Sequence, residues 1–440
     1  MQMQATARAS KRFFISMITR DISLEDCILD LIDNSVDAIS KNHPEVQDGN
    51  GDKYKNYPVE LTFDGDSFEI KDNSGGISLS DAKDYAFRFG RPDDDQQDEE
   101  SNTIGHYGIG MKRAIFKLGN KVWIQSSTGS ESFELDLDVE EWRKSDRPEW
   151  EFTLDNVMEE NTTISPGTHI KITQLHPNIE RRLKDPNFET TLVNTLKRDY
   201  SFIISHGLEL YINGTEIEER LPSFKSGDSI KPHRATTEYE GIKITITAGM
   251  AITPEDDDSA EKRRPDSELY GWYVVCNERV VVAGDKSMMT GWGVKRVPSW
   301  HPQYYGFIGI VTFEGSAGDL PWTTTKRNID PTHPAYTKAL SMMKDITRKF
   351  TSYTNKRKKN KQAARAAEQR TSDVTIRDLK ESQEFELPEL DDDIETVAIQ
   401  FEKPKEQVDA LAEALDLNVP SASEVGRKAF DYAYDKEVGE

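Results

Sequence analysis

Apolar residues recur at helical spacing between residues 24 and 39. Leu24, Ile28, Leu31, Ile32 and Ile39 fall on one face of that helix. Ser23 stands at the N-cap place and Asp26 three residues on, a capping box that predicts the helix start. Asp30, Asn34 and Asp37 recur at i, i+4 and i+7 on another face, with Asp33 beside them. The period then changes. VELTFDGDSFEIKD alternates apolar and polar residues around Asp64-Gly65-Asp66, which predicts a hairpin. A helical pattern, KRAIFKLG, follows a glycine-rich stretch at 105–112. Between 208 and 315 the apolar runs LELYING, IKITITAGM, GWYVVCNERVVVAG and FIGIVTFEG read as strands. Residues 346–371 read as a helix ending in QAARAAEQR, and VDALAEAL at 408–415 is one further helical stretch. Segments 42–58, 91–102 and 253–268 read as loops; the second stands directly before the glycines, a place that suits a mobile lid. No internal repeat is visible.

A chain of 440 residues exceeds one ordinary core, so two or three domains are expected. The patterns divide it at 1–185, 186–345, 346–371 and 372–440. No run of eighteen apolar residues exists and the N-terminus lacks the apolar stretch of a signal peptide, so a cytoplasmic protein with no membrane partner is expected. Cys27 and Cys276 are far apart, too few for a structural zinc cluster, and fit a reducing compartment. The net charge of −23 excludes wholesale coating of nucleic acid. The charge is uneven, however. Residues 346–370 hold nine Lys/Arg against one Glu, and 372–440 hold twenty Asp/Glu against seven Lys/Arg. A basic helix before an acidic tail allows a restricted nucleic-acid contact.

Three segments carry chemistry. Asp and Asn are weak helix formers, so their stripe on the first helix is unusual for a merely solvated face. Short acidic and amide side chains together suit a hydrated Mg²⁺. Asp72 ends the second hairpin strand and runs into Asn73-Ser74-Gly75-Gly76-Ile77. A carboxylate there can accept from the exocyclic amine of adenine, and the glycines let backbone pass close to a flat base; a plain turn is the simpler alternative. Gly105, His106, Tyr107, Gly108, Ile109, Gly110, Met111 and Lys112 precede a helix. Glycines at this density bare backbone N–H groups at a helix N-terminus, an anion site. The spacing is neither the Rossmann fingerprint nor a P-loop.

Together these segments resemble the GHKL superfamily, which includes gyrase B, MutL, the MORC ATPases, heat-shock chaperones of that fold and histidine kinases. Asp30, Asn34, Ser35, Asp37 and Ala38 match E-x-x-x-N-[SA]-x-D-A, with Asp in place of Glu. Asp72 to Gly76 match D-x-G-x-G with Ser74 in the first glycine place, and Gly105 to Lys112 match G-x-x-G-x-G-[FM]-K. Pro166 to Ile172 resemble a later strand that carries a Thr, here Thr168. The resemblance implies an α+β two-layer sandwich, the Bergerat ATP-binding domain, followed by a transducer-like α/β domain and a charged C-terminal extension. It implies ATP and Mg²⁺ as cofactors. Asp30 takes the general-base place, Asn34 the metal, Asp72 the adenine, and Gly105, Gly108, Gly110 and Lys112 the phosphates, with Asp37, Gly76, Ile77 and Thr168 lining the site.

No phospho-accepting helix pair precedes the motifs, which argues against a kinase. GDLPWTTTKRNID at 318–330 resembles the switch loop of the transducer-bearing branch, with Lys326 as its lysine. The opening stretch resembles prokaryotic MORC- and MutL-like ATPases, in which an N-terminal strap crosses to the partner; Phe13, Phe14 and Ile15 could serve as strap or core. The implied activity is a slow ATPase that closes as a homodimeric clamp on DNA or a partner protein, as in DNA processing or antiviral defence. The implied nucleic-acid contact is 346–365, through Arg348, Lys349, Lys356, Arg357, Lys358, Lys359 and Lys361, and any cutting would need a partner nuclease or helicase. A chaperone-like ATPase and a nucleotide-binding pseudo-ATPase are the alternatives.

Overall fold

Helix α2 (Leu24–Asn42) begins where the capping pattern puts it: Ser23 Oγ accepts from the Asp26 N–H at 3.0 Å. Its apolar face is buried and drives it onto a sheet. The computed structural model describes residues 10–43, 52–89, 103–105, 108–144, 150–252, 267–381, 384–390, 399–415, 417 and 421–438. The chain forms two units, residues 1–390 and 391–440.

The first layer of the larger unit follows α1 (Lys11–Arg20) and α2 with the hairpin β1 (Val59–Phe63) and β2 (Ser67–Asp72). Asp64 Oδ1 closes that hairpin by accepting from Asp66 N at 2.7 Å and Ser67 N at 2.8 Å. A helical turn α3 (Leu79–Asp81), α4 (Gly110–Leu118), β3 (Gly119–Ser127), β4 (Ser132–Asp138), α5 (Val139–Lys144), β5 (Asp155–Met158) and β6 (Gly167–Leu175) come next. Then come α6 (Pro177–Leu183), α7 (Pro186–Asp199), α8 (Ser201–Ser205), β7 (Leu210–Ile212) and β8 (Thr215–Glu216). The strands make one sheet in the order β5-β4-β3-β6-β2-β1-β7-β8. In β1, Val59, Leu61 and Phe63 are buried while Glu60 and Thr62 are exposed, the mark of a sheet covered on one face. Helix α4 lies against α2, β3 and β6.

The second sheet is formed by β10 (His233–Tyr239), β11 (Ile242–Met250), β12 (Gly271–Cys276), β13 (Arg279–Asp285) and β14 (Phe307–Glu314), in the order β10-β11-β14-β12-β13. Strands β12 and β14 run parallel; the other pairs are antiparallel. Helix α9 (Pro334–Lys359) packs on β11 and β14. A single apolar cluster runs from Ile28 and Leu61 through Ile244 and Trp272 to Phe350, so both sheets share one core. The fold is mixed α/β, as expected.

Three boundaries differ from the sequence reading. The break placed at 185 falls inside the first layer, because β7 pairs in parallel with β1 and buries Leu210 and Ile212 against its core. The basic helix read from 346 is the second half of α9, which starts at Pro334 and buries Tyr336, Met343 and Phe350; it breaks at Asn360 before α10 (Lys361–Glu368). The tail read from 372 begins instead as β15 (Thr371–Thr375), antiparallel to β9 (Ser223–Gly227), since that edge offers unpaired backbone groups. The smaller unit contains α11 (Lys405–Ala414) packed on α12 (Ala422–Glu437).

Helix α1 splits the apolar trio. Phe14 packs on Phe89 and Trp150 at 4.8 and 5.0 Å between ring centroids and Ile15 packs on the core, while Phe13 projects outward. Cys27 and Cys276 are both free and buried. Among the described residues no helix is long and apolar enough to cross a membrane.

Candidate functional site

Helix α2 and the first turn of α4 form two walls of a cavity of about 1670 Å³. Asp30, Asn34, Asp37, Gly76, Ile77, Gly105, Gly108, Ile109, Gly110, Met111, Lys112 and Lys326 all line it. His106 and Tyr107, together with the loop 91–102, lie outside the described residues. Asn34 is exposed to the cavity, whereas Asp30 and Asp33 are buried. Asp37 accepts from the backbone of Ile104 at 2.6 Å and of Gly105 at 2.5 Å, which fixes the entry to the glycine loop. Burial pushes the Asp37 carboxyl up to about 6, against those two hydrogen bonds.

At the far end, Asp72 Oδ2 accepts from Ser35 Oγ at 2.8 Å. Its Oδ1 accepts from Ser74 N at 3.0 Å, Ser74 Oγ at 2.5 Å and Thr168 N at 3.2 Å. Ser74 is thus more than a stand-in for glycine: its hydroxyl helps to orient the carboxylate. Asp72 and Thr168 face each other in the β2–β6 register, but neither is part of the cavity wall. The wall there is Gly76 and Ile77. Gly76 has φ +71°, and a Cβ on it would lie 1.9 Å from the Ser127 carbonyl oxygen, so a side chain is excluded. The Ile77 N–H is held by Ser126 Oγ at 2.8 Å, and that hydroxyl lies 3.1 Å from Thr168 Oγ1.

At the glycine loop, Gly108 takes φ +64° and Gly110 opens α4. Lys112 lines the cavity but is engaged within the chain. Its side chain is buried and its ammonium donates to the Ala86 carbonyl at 2.9 Å, while burial pushes its pKa down to about 8. The cation that reaches the acidic helix from α4 is Arg113, whose Nη2 donates to Asp30 Oδ2 at 2.5 Å.

The second layer supplies the rest. Lys326 Nζ lies 2.9 Å from Asp33 Oδ2 and 4.0 Å from Asp30 Oδ1. Arg327 pairs with Asp26 one turn earlier on α2. Arg279 reaches Asp33 and Asp199 at 3.3 Å each and lies over the Tyr200 ring, whose hydroxyl donates to Asp33 at 2.6 Å. Burial raises the Asp33 carboxyl, but Lys326, Arg279 and Tyr200 outweigh it and hold it below its ordinary value. Burial also raises Asp30, only partly offset by Lys326 and Arg113. Asn277, in the turn between β12 and β13, donates to the Thr103 carbonyl at 2.8 Å and to the Gly315 carbonyl at 2.9 Å, and accepts from Gly315 N at 3.1 Å.

The family model described as "Histidine kinase-, DNA gyrase B-, and HSP90-like ATPase" matches residues 22–167. Over these residues the chain is similar to GHKL-type ATPase domains. The match spans α2, the Asp72 turn, the glycine loop and the start of β6, the same elements that surround the cavity. No curated protein matches the chain. Arg113 and Asp199 escaped the motif reading, whereas the Asn and Arg of GWYVVCNERVVV resemble those of a transducer strand pair. Arg113 directly follows the last motif residue, and Arg279 stands in the CNER turn; Asp199, at the end of α7, carries no sequence signal.

Proposed function

We propose that this GHKL domain hydrolyses ATP with Asp30 as general base, and that ATP gates a homodimeric clamp acting on DNA or on a partner protein in DNA processing or defence. The observation that supports this reading is Lys326. A residue that follows the second sheet stands 2.9 Å from Asp33 and 4.0 Å from Asp30 on the helix of the ATP domain. An element placed so could sense the γ-phosphate and pass its presence to the second layer.

Asp30 would accept the proton of the attacking water, and Lys326 would offset charge developing on the transferred phosphoryl group. Gly105, Gly108 and Gly110 border the cavity with backbone, leaving room for phosphates near the α4 N-terminus. The Asn34 amide on the cavity wall suits Mg²⁺, which takes few protein ligands and keeps water and phosphate oxygens. When bound, Mg²⁺ would neutralise phosphate charge. Among the described residues no group of three His, Cys, Asp or Glu side chains could hold a metal without such help.

Arg348, Lys349, Lys358, Lys359 and Lys361 are exposed and form the proposed DNA contact. Arg357 drops out, because it is buried against Glu368 at 2.7 Å. The test of the enzymatic reading is Mg²⁺-dependent phosphate release by wild type and by Asp30→Asn. The variant should fall by about 100-fold or more; equal, background rates in both would reject hydrolysis. Mass measured in solution should double with a non-hydrolysable ATP analogue and Mg²⁺, and a monomer under both conditions would reject the clamp.

A further inference from the structure

The base at residue 30 is a methylene shorter than the family's Glu, so something must compensate for its reach. Among the described residues, the ionisable side chains that act on Asp30 include Arg113 from α4, Lys326 from the switch loop, and Asp33 and Cys27 from its own helix. Arg113 makes the direct hydrogen bond, to Oδ2 at 2.5 Å, with about a tenth of either side chain exposed. Lys326 stands off at 4.0 Å from the other oxygen.

Two features of α4 bring the guanidinium there. Arg113 lies three residues after Gly110, on the same face of the helix. Gly110 has no side chain at the contact, where a Cβ would lie 3.3 Å from both Cβ and Cγ of Asp30. Helix α4 therefore meets α2 closely enough for a forked cation to hold one oxygen of a short carboxylate. Arg113 also lines the cavity, and its buried Nε has no partner among the described residues.

We propose that Arg113 is the positioning residue for Asp30: it fixes Oδ2 and thereby turns Oδ1 toward the cavity, replacing the reach that the shorter side chain lacks. The proposal rests on Asp30 being the base. One face of α4 would then serve two ends, bordering the phosphate site with Gly110 and aiming the base with Arg113.

The experiment compares full-length wild type, Asp30→Asn, Arg113→Ala and Arg113→Lys. It measures steady-state ATP turnover from pH 5 to 9 and binding of a non-hydrolysable ATP analogue by calorimetry. Arg113→Ala should lower kcat by about tenfold or more while analogue affinity stays within about threefold, because aim and not binding is lost. It should also move the acidic limb of the kcat profile to higher pH, since a carboxylate deprived of its cation protonates more readily. Arg113→Lys, with charge but no fork, should keep the limb near its wild-type place and lose part of kcat; it also serves as the folded comparison should the Ala variant fail to fold. An unchanged kcat and limb in folded Arg113→Ala, or a kcat that rises, would overturn the proposal. If Asp30→Asn turns over like wild type, the base assignment itself fails; if it is inactive while Arg113→Ala is normal, positioning alone fails.

Discussion

Consider Arg279→Met, which keeps an unbranched stem but removes the charge at the junction of the two layers. Arg279 is 2 % exposed, and its partners Asp33 and Asp199 are 1 % and 3 % exposed. Removing one partner of a buried ion pair costs about 3–5 kcal/mol, because the remaining charge is left uncompensated. Two arrangements hold the cost at the lower end. Asp33 keeps Lys326 and Tyr200, and Asp199 keeps Arg198 at 2.6 Å. Unfolding entropy of about 2.1 cal/mol/K per residue gives the 390-residue unit about 0.8 kcal/mol/K, so a loss of about 3 kcal/mol lowers Tm by about 4 °C. The sign with pH follows from Asp33, whose carboxyl is held below its ordinary value. Stability from such a group is present above its unfolded pKa of about 3.9 and is lost as pH falls through the folded value. The gap between variant and wild type should therefore be full at pH 7 and shrink in acid. Differential scanning calorimetry of the whole protein at pH 7 and at pH values stepped down from about 4 to about 2 measures both. A Tm within about 1 °C of wild type at pH 7 would show that the network contributes no net stability.

Two further outcomes follow from the geometry. Gly76→Ala combines a left-handed backbone with a 1.9 Å clash against Ser127, whereas Gly214→Ala, at φ +79°, meets nothing within 4 Å. Calorimetric titration should show ATP-analogue affinity falling by about tenfold or more in the first and holding in the second, since backbone strain alone costs only about 1–3 kcal/mol and lies remote from the cavity in Gly214; equal effects would discredit the wall assigned to Gly76. The double variant Lys358→Glu/Lys359→Glu should weaken duplex DNA binding and flatten its logarithmic salt dependence by about two charges. Arg357→Ala should instead lower thermal stability, and a salt slope unmoved by the double variant would remove α9 from the DNA contact.

Local rules made much of the site legible. The Ser23 cap, the apolar stripe of α2, the Asp64 turn and the glycine loop are each written within a few neighbouring residues, and each stands where the pattern put it. What stayed hidden depends on distant pairing. Asp33 looked like a companion of Asn34, but its partners Tyr200, Arg279 and Lys326 come from far along the chain. Lys112 matched a motif position, yet its amine is claimed by the carbonyl of Ala86, at the end of a short π-helix (Ala82–Ala86), which no spacing reveals. Residues 210–216 read as part of a strand-rich second region, since a three-residue parallel pairing with β1 leaves almost no periodic trace. Arg357 sits in a run of like charges, where composition could not single out the one side chain that turns inward.

The amide of Asn277 touches two routes to the same cavity. One leads through Thr103 to Ile104 and Gly105, whose backbone Asp37 grips; the other ends on Gly315, the residue after β14. With three hydrogen bonds on one short side chain, Asn277 ties the segment that Asp37 grips to the residue that follows β14, so its removal would release both at once.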